Sequence, residues 1–304
     1  MERTIYDICM SYTDKQQVFI DPFFKETPLF NTMKCIEASK GATNVFEKIK
    51  EVQIPELVDY DAPLPLVSAS TELGYAKIGK VGGRINLPLD QCKLLGKEAI
   101  LAKQLPPILN RTGQAFDFSF MYSSLKAHCV SNSTDCVTKI GTAGSNFYSM
   151  VGITWGEGEN CGLFQPKLSG QKMFDFYAIG GGNIIDLKDK DGKTFAGYAM
   201  ELAMYLGIQI PRNDRIHLLA NCNSSNVPSY EQLLNFVDDF DGYDPANSAI
   251  YCHPKMRNIL SATFQKDSGH ADLITVDDTG LMRISGCPVI VDKNMLKGPE
   301  TIFS

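Results

Sequence analysis

The chain has 304 residues, of which 44% are hydrophobic and 21% charged, enough for one large or two medium domains with a core. Its net charge of −6 argues against a protein that binds nucleic acid through a basic surface. No run approaches 18 apolar residues, so we expect no membrane span.

The first residues contain several charges, which leave no apolar core for a secretory signal. The nine cysteines are odd in number and lack the spacing of a disulfide framework. We therefore expect reduced, structural thiols in a cytosolic compartment.

Residues 1–44 mix short aromatic clusters with Pro22 and Pro28, and no period persists. The aromatic side chains favour burial, so the sequence predicts short helical pieces docked on another surface. A single strand is expected over Val45–Ile54, followed by prolines at 55, 63 and 65 that exclude a central strand or helix.

Val67–Leu89 is rich in glycine and scattered β-formers, which predicts a two-stranded excursion with too few apolar residues for its own core. We expect it to lie on another surface, such as an adjacent subunit. Candidate contacts are apolar and basic residues within it: Tyr75, Lys77, Ile78, Lys80, Val81 and Arg84.

The run Gly74–Val81 nearly matches a phosphate-binding loop. Val81 replaces the hydroxyl that would hold magnesium, and Gly82 and Gly83 follow where a helix should begin. A glycine-rich loop is the better interpretation.

Leu105–Cys129 predicts a long helix that begins with Pro107 at its first position. Its apolar residues cover two adjacent faces, one with Leu109, Phe116 and Phe120 and the other with Phe118, Met121 and Leu125. This width indicates contact with two layers. A plain core helix is the alternative.

The sequence of the second half predicts mainly strands, and it contains three local patterns that indicate particular elements. Phe147–Trp155 alternates as a strand, and Asp191–Gly192 predicts a hairpin with a type I′ turn before a long strand over Thr194–Ile210. Ser229 and Gln232 form a capping box. Further elements are a strand at Ala249–Cys252, a helix from His253–Pro254, and strands at Leu273–Val276, Leu281–Ile284 and Pro288–Val291.

Residues with catalytic or metal-binding chemistry are scattered. The four histidines are widely spaced, and Cys129 and Cys136 match no zinc signature. Cys252 and His253 adjoin on a strand, where neighbouring side chains point apart. The acidic run Asp238–Asp244 lacks the spacing of a calcium loop. We expect no enzyme, no metal and no cofactor.

From Phe147 onward the sequence resembles the major capsid proteins of tailed bacteriophages. The resemblance covers roughly residues 145–303, and the first 130 residues only by the order of elements. The matching residues are Ser149, Trp155-Gly156-Glu157, Gly162-Leu163-Phe164, Asp191-Gly192, Arg212, Arg215, Ala220-Asn221, Gly280, Gly286, Pro288, Asp292, Glu300 and Thr301. His253 departs from the family's usual asparagine, and Ser131–Asn146 is shorter than the family's segment.

The resemblance implies an α+β capsid-shell fold with an N-terminal arm, an extended β loop, a peripheral domain with a long spine helix, and an axial domain. The expected division is an arm over 1–44, strand and extended loop over 45–89, spine helix and first peripheral part over 90–140, axial domain over 141–245, and the return to the peripheral domain over 246–304.

The implied function is a non-enzymatic virion protein that assembles from hexamers and pentamers into an icosahedral shell around double-stranded DNA, without sequence-specific binding. Assembly in the host cytoplasm follows, and scaffolding, portal and decoration proteins are possible partners; no membrane is involved. The alternatives are an encapsulin-type shell around a cargo enzyme, and an unrelated α+β ligand-binding protein or enzyme.

Overall fold

A computed structural model describes residues 3–12, 17–52, 58–59, 63, 68–141, 147–156, 159–166, 174–264, 273–278 and 280–295. The elements of the first half are β1 (Arg3–Thr4), α1 (Ile5–Tyr12), α2 (Gln17–Phe24), α3 (Pro28–Thr32), β2 (Lys34–Glu37), β3 (Thr43–Val52), β4 (Ala69–Lys77), β5 (Gly79–Pro88), α4 (Leu89–Leu95), α5 (Lys97–Phe120), a π-helical segment (Met121–Lys126), α6 (Ala127–Ser131), α7 (Ser133–Cys136) and β6 (Val137–Lys139).

The second half contains β7 (Tyr148–Thr154), β8 (Cys161–Phe164), β9 (Asp175–Ala178), a 3₁₀ turn (Ile179–Gly182), β10 (Ile185–Lys188), β11 (Thr194–Gln209), a 3₁₀ turn (Asn213–Arg215), β12 (Ile216–Cys222), α8 (Tyr230–Asp239), β13 (Ser248–Cys252), α9 (Pro254–Phe264), β14 (Ile274–Val276), β15 (Met282–Ile284) and β16 (Cys287–Val291). Both helices and sheets are well represented, as the predicted α+β class requires.

Three sheets organise the described residues. One has the order β1-β2-β8-β11-β10, with β5 and β9 also paired to β11. A second has the order β14-β15-β16-β13-β7-β12-β6, and the third is the pair β3-β4. The predicted boundary between residues 245 and 246 does not separate sheets, because β13 pairs directly with β7.

The predicted long helix exists but extends further at both ends. Helical structure runs from Lys97 through the π-helical segment to Ser131; we call this the spine helix. Pro107 is therefore not at the first position. The two prolines at 106 and 107 leave the carbonyls of Ala102 and Lys103 without helical donors, and these residues are exposed, so water can satisfy them.

One stripe of the spine helix is buried, with a residue at every fourth position. An α-helical turn contains 3.6 residues, so each residue of a stripe with a spacing of four is displaced slightly around the helix axis. The wider turns of the π-helical segment displace the stripe in the opposite direction and return it toward the core. Phe116 and Phe120, which belong to one of the two predicted apolar faces, are only partly buried. The buried stripe consists of Leu105, Leu109, Gly113, Asp117, Met121, Leu125 and Cys129.

The N-terminal residues form short helices docked by their aromatic side chains, as predicted, and the surface they dock on belongs to the same chain. Phe23 and Phe30 are no more than 1% exposed. Phe23 contacts Phe174 edge-on at 5.2 Å between ring centroids, and Phe30 contacts Phe120 at 5.4 Å. The backbone of α2 approaches the spine helix closely, since a Cβ on Gly113 would lie 2.2 Å from the Phe23 carbonyl oxygen.

Both faces of the second sheet are covered. All seven residues of β7 are buried. Val151 and Ile153 face the cluster formed with the arm and the spine helix, whereas Tyr148 and Met150 face a cluster closed by α8 and α9. The alternation predicted for this strand is thus present, with apolar cover on each side.

Local signals of the second half are largely confirmed. The Ser229 hydroxyl accepts the Gln232 N–H at 3.2 Å, and the Gln232 side chain accepts the Ser229 N–H at 2.8 Å, which completes the capping box. A histidine caps the start of α9. His253 Nδ1 accepts the Lys255 N–H at 3.1 Å, as an N-cap oxygen would.

The hairpin at Asp191–Gly192 is confirmed, but its turn is not type I′. Five residues connect β10 to β11, because Lys188 pairs with Thr194. Gly192 has a positive φ of 80° and donates its N–H to the Asp189 carbonyl oxygen. The Asp189 carboxylate accepts the N–H groups of Asp191 and Lys193, which stabilises this longer turn.

We expect Gly113→Ala to lower the free energy of unfolding, although alanine in a helix alone would raise it by about 1 kcal/mol. The added methyl group would overlap a backbone atom of α2, and such overpacking typically costs about 1–3 kcal/mol. Chemical denaturation measures the change. Gly83→Ala is the control, since a Cβ there meets nothing within 4 Å. A stabilised Gly113→Ala protein would contradict this contact between arm and spine.

Candidate assembly surface

The hairpin of β3 and β4 projects from the body as a separate two-stranded sheet. Its register pairs Val45 with Tyr75 and Glu47 with Leu73, with an irregularity between Ile49 and Glu51. Alternate residues of β4 occupy opposite faces. On one face Tyr75 is 66% exposed and Leu73 56% exposed. A hairpin of two strands is marginal alone, so this apolar face lacks the cover that such a sheet needs.

The base of the hairpin is fixed to the body by hydrogen bonds. The buried Asn44 donates from Nδ2 to Gln209 Oε1 at 2.5 Å and accepts the Ser39 N–H at 2.9 Å. The Ile78 N–H donates to the Ala42 carbonyl oxygen at 2.9 Å, which extends the pairing of β3 and β4 by one step. The contact between Asn44 and Gln209 therefore holds the base of the hairpin against β11.

The predicted pairing within the excursion is wrong. β4 pairs with β3, and β5 pairs with β11 along ten residues, from Gly79 opposite Leu206 to Pro88 opposite Gly197. Only Ile78 lies between β4 and β5, which is too short for a reversing turn. Gly82 permits the close approach of β5 to β11, because a Cβ there would lie 1.9 Å from the Leu202 carbonyl oxygen.

Because of this pairing, the six predicted contact residues do not lie on one common surface. Val81 is 4% exposed and packs in the core of its own chain, so it is removed from the candidate surface. Lys80 is exposed but pairs with Glu201 of the same chain. Arg84 is exposed and donates to the Asn86 side chain at 3.1 Å. Tyr75, Lys77 and Ile78 lie at the hairpin or its base.

Sequence reasoning missed two sets of exposed apolar residues. Leu73 lies two residues before Tyr75, and the period of a strand could have identified it as a member of the same face. Leu94 and Leu95, at the end of α4, are 82% and 62% exposed. Gly96 follows with a positive φ of 82° and ends α4, so the two leucines lie at a sharp corner before the spine helix.

The two arginines of the family-like segment connect loops within the chain. Glu159 lies 3.7 Å from Arg212 and 3.6 Å from Arg215. Arg215 also pairs with Asp241 at 2.9 Å, and Arg212 with Asp214. These ion pairs are partly exposed, and each contributes about 0–1 kcal/mol. Together they connect the turn after β7, the 3₁₀ turn at Asn213–Arg215 and the end of α8.

Thr138, His217 and Asp239 form the most enzyme-like cluster among the described residues. The Thr138 hydroxyl lies 2.9 Å and the Asp239 carboxylate 3.4 Å from the same nitrogen, His217 Nε2. A catalytic relay uses the two ring nitrogens for two different partners. The cluster is therefore a hydrogen-bonded contact between β6, β12 and α8.

Within the described ranges, no three histidine, cysteine or acidic side chains are grouped to hold a metal ion. No described helix combines the length and apolar character needed to cross a membrane.

The eight cysteines whose side chains the structure describes are all buried, as expected of structural thiols. Burial raises the pKa of Cys129, Cys252 and Cys287 to about 12, and that of Cys136 to about 11. These groups are inert thiols at neutral pH, since the thiolate is the reactive form.

The sequence matches no family model and no curated protein. The fold, however, is similar to solved bacteriophage structures. The bacteriophage Epsilon15 structure is 12% identical with a TM-score of 0.54, over 88% of this chain and 87% of that chain. The bacteriophage JBD30 capsid is 10% identical with a TM-score of 0.54, over 89% and 91%.

The SrpI encapsulin complex of Synechococcus elongatus PCC 7942 is 9% identical over 65% of this chain and 88% of that chain. The TM-score of this match is 0.40. The two phage structures show the fold: this chain has the tailed-phage capsid fold that the sequence predicted.

We expect the eight described cysteines to resist iodoacetamide at pH 8 in the folded protein. At the pKa of about 12 of Cys129, Cys252 and Cys287, only on the order of 1 in 10,000 thiols is ionised at pH 8, and burial blocks access to all eight. Peptide mass spectrometry measures the modification, and the guanidinium-unfolded protein is the control in which all should react. Rapid labelling of the folded chain, or disulfide-linked oligomers on non-reducing gels, would contradict this.

Proposed function

We propose that this chain is the major capsid protein of a tailed bacteriophage, and that it assembles into the shell enclosing double-stranded DNA. The observation that carries the proposal is the extent of the likeness. It covers 88–89% of this chain and 87–91% of the two phage chains, so it concerns a whole subunit rather than one shared module.

The division of the chain into a packed body and an uncovered hairpin supports self-assembly. A neighbouring subunit would supply the cover that Leu73 and Tyr75 lack, with Lys77 and Ile78 at the edge of the contact. The exposed corner at Leu94 and Leu95 is a second apolar surface of the same chain. Contacts between different surfaces of identical subunits form rings when the rotation between neighbours closes, as hexamers and pentamers require.

The net charge of −6 fits a shell that holds packaged DNA without binding its sequence. In this proposal the protein is a virion component assembled in the host cytoplasm. Scaffolding, portal and decoration proteins are its possible further partners, and Lys80 and Arg84 remain candidates for contacts at exposed rims.

Negative-stain microscopy and sedimentation of the purified chain test the proposal. We expect closed particles, or rings of six and five subunits. Particles from phage-producing cells should contain nuclease-protected DNA. A particle filled with a cargo protein instead would favour the encapsulin-type alternative. A chain that remains monomeric at high concentration would contradict self-assembly and would favour the alternative of a ligand-binding protein or enzyme.

The double substitution Leu73→Ser and Tyr75→Ser should stop or misdirect assembly while leaving the monomer folded. Both side chains are exposed, so the expected change in the free energy of unfolding is within about 0.5 kcal/mol. Circular dichroism and sedimentation measure the two effects.

Glu72→Ser, on the opposite face of the same strand, is the control and should assemble normally. Deleting Gly74–Gly83 is a poorer test, because it would remove Val81 from the core. Normal particles from the double variant would refute the role of this face between subunits.

A further inference from the structure

A polar site lies inside the core where the arm, the spine helix and the chain after β16 meet. Asp117 and Asp292 are both 0% exposed. Asn294 joins them, since its Nδ2 donates to Asp117 Oδ2 at 3.0 Å and its N–H donates to Asp292 Oδ1 at 2.7 Å. Two carboxyl groups are thus held together away from water.

The same site binds the backbone of the arm at two points. Asp117 Oδ1 accepts the Leu29 N–H at 3.1 Å, at the start of α3. Asn294 Nδ2 also donates to the Glu26 carbonyl oxygen at 2.8 Å. The docking of α3 therefore depends directly on the geometry of this carboxyl pair.

The donors present do not satisfy both carboxylates. Both oxygens of Asp117 accept hydrogen bonds, and among the described residues no donor reaches the buried Asp292 Oδ2. Asn294 nevertheless binds both carboxyl groups and so holds them next to each other. Ionised carboxylates only accept, so a hydrogen bond between them requires a proton on one of the two.

We infer that Asp117 and Asp292 share a single proton, and that this proton fastens the arm segment 26–33 to the spine helix. Losing it would place two negative charges side by side in the core, where repulsion is strong. The Leu29 and Glu26 contacts would then loosen first. The site makes docking of the arm sensitive to pH.

The surroundings favour the protonated form. Burial, and then the neighbouring carboxyl, raise the pKa of Asp117 well above its ordinary value, and burial also raises the pKa of Asp292. The nearby titratable groups are Tyr251 and Cys252 on β13, whose pKa values burial raises too. No described lysine or arginine forms an ion pair with either carboxyl. The Glu26 carboxylate points elsewhere and accepts from Gln114.

The sign of the pH effect follows from the raised pKa. The docked arm binds the proton more tightly than the opened arm, so docking is strongest at low pH. It weakens as pH rises from the ordinary aspartate value, about 4, to the raised value of the pair. Release of one proton lets the opening equilibrium rise by up to about tenfold per pH unit within this window.

Asp292→Asn tests the inference while keeping the contacts. The amide oxygen can still accept the Asn294 N–H, and the amide N–H₂ supplies Asp117 with a permanent donor. We expect hydrogen exchange of residues 27–33 in the parent protein, corrected for intrinsic rates, to quicken from pH 5 upward. In Asp292→Asn this quickening should disappear, and the variant should melt at a higher temperature than the parent at pH 8.

Asp186→Asn, on the exposed side of β10, makes the same chemical substitution away from the buried pair and should behave like the parent protein. Infrared titration of the parent protein provides a second measurement, independent of whether the variant folds. It should show one protonated carboxyl persisting above pH 6 in the folded state. A flat exchange profile in the parent, the same profile in Asp292→Asn, or a fully ionised infrared spectrum at pH 6 would each overturn the inference.

Discussion

The close approach of the N-terminal arm to the spine helix is the constraint on which the rest of the subunit depends. Gly113 lets the backbone of α2 touch the helix, and four residues further on Asp117 binds the Leu29 N–H of α3. Because these contacts lie on the same stripe as the large apolar anchors, one face of the helix holds both the arm and the second sheet. The other face of that sheet is closed by α8 and α9.

The same arrangement explains why the hairpin is different from the body. β11 pairs with β5 along one edge and with β8, β9 and β10 along the other. The strand that follows the hairpin, β5, is therefore paired within its own chain. The hairpin of β3 and β4 gains no such partner and leaves Tyr75 exposed. A subunit that is well packed in its body and uncovered at one extension is suited to building a closed shell by repeated weak contacts.

Sequence reasoning succeeded where local chemistry decides the structure. The capping box at Ser229, the alternation through Val151, and the helix after His253 depend on neighbouring residues alone. It failed where distant segments decide. The ten-residue pairing of β5 with β11, which buries Val81, depends on residues more than one hundred positions away. The docking of the arm on its own spine helix likewise required the tertiary fold, since aromatic residues indicate burial but not against which surface.

The proton-sharing carboxyl pair could not be predicted from the sequence either, because Asp117 and Asp292 are 175 positions apart and meet only through the fold.

The central claim is that the exposed apolar face of the β3–β4 hairpin packs against another subunit. A cryo-electron microscopy map of the assembled particle that resolves side chains tests this most directly. The account predicts Tyr75 and Leu73 buried against a neighbouring subunit. A hairpin folded back onto its own body, or exposed in the particle, would contradict it.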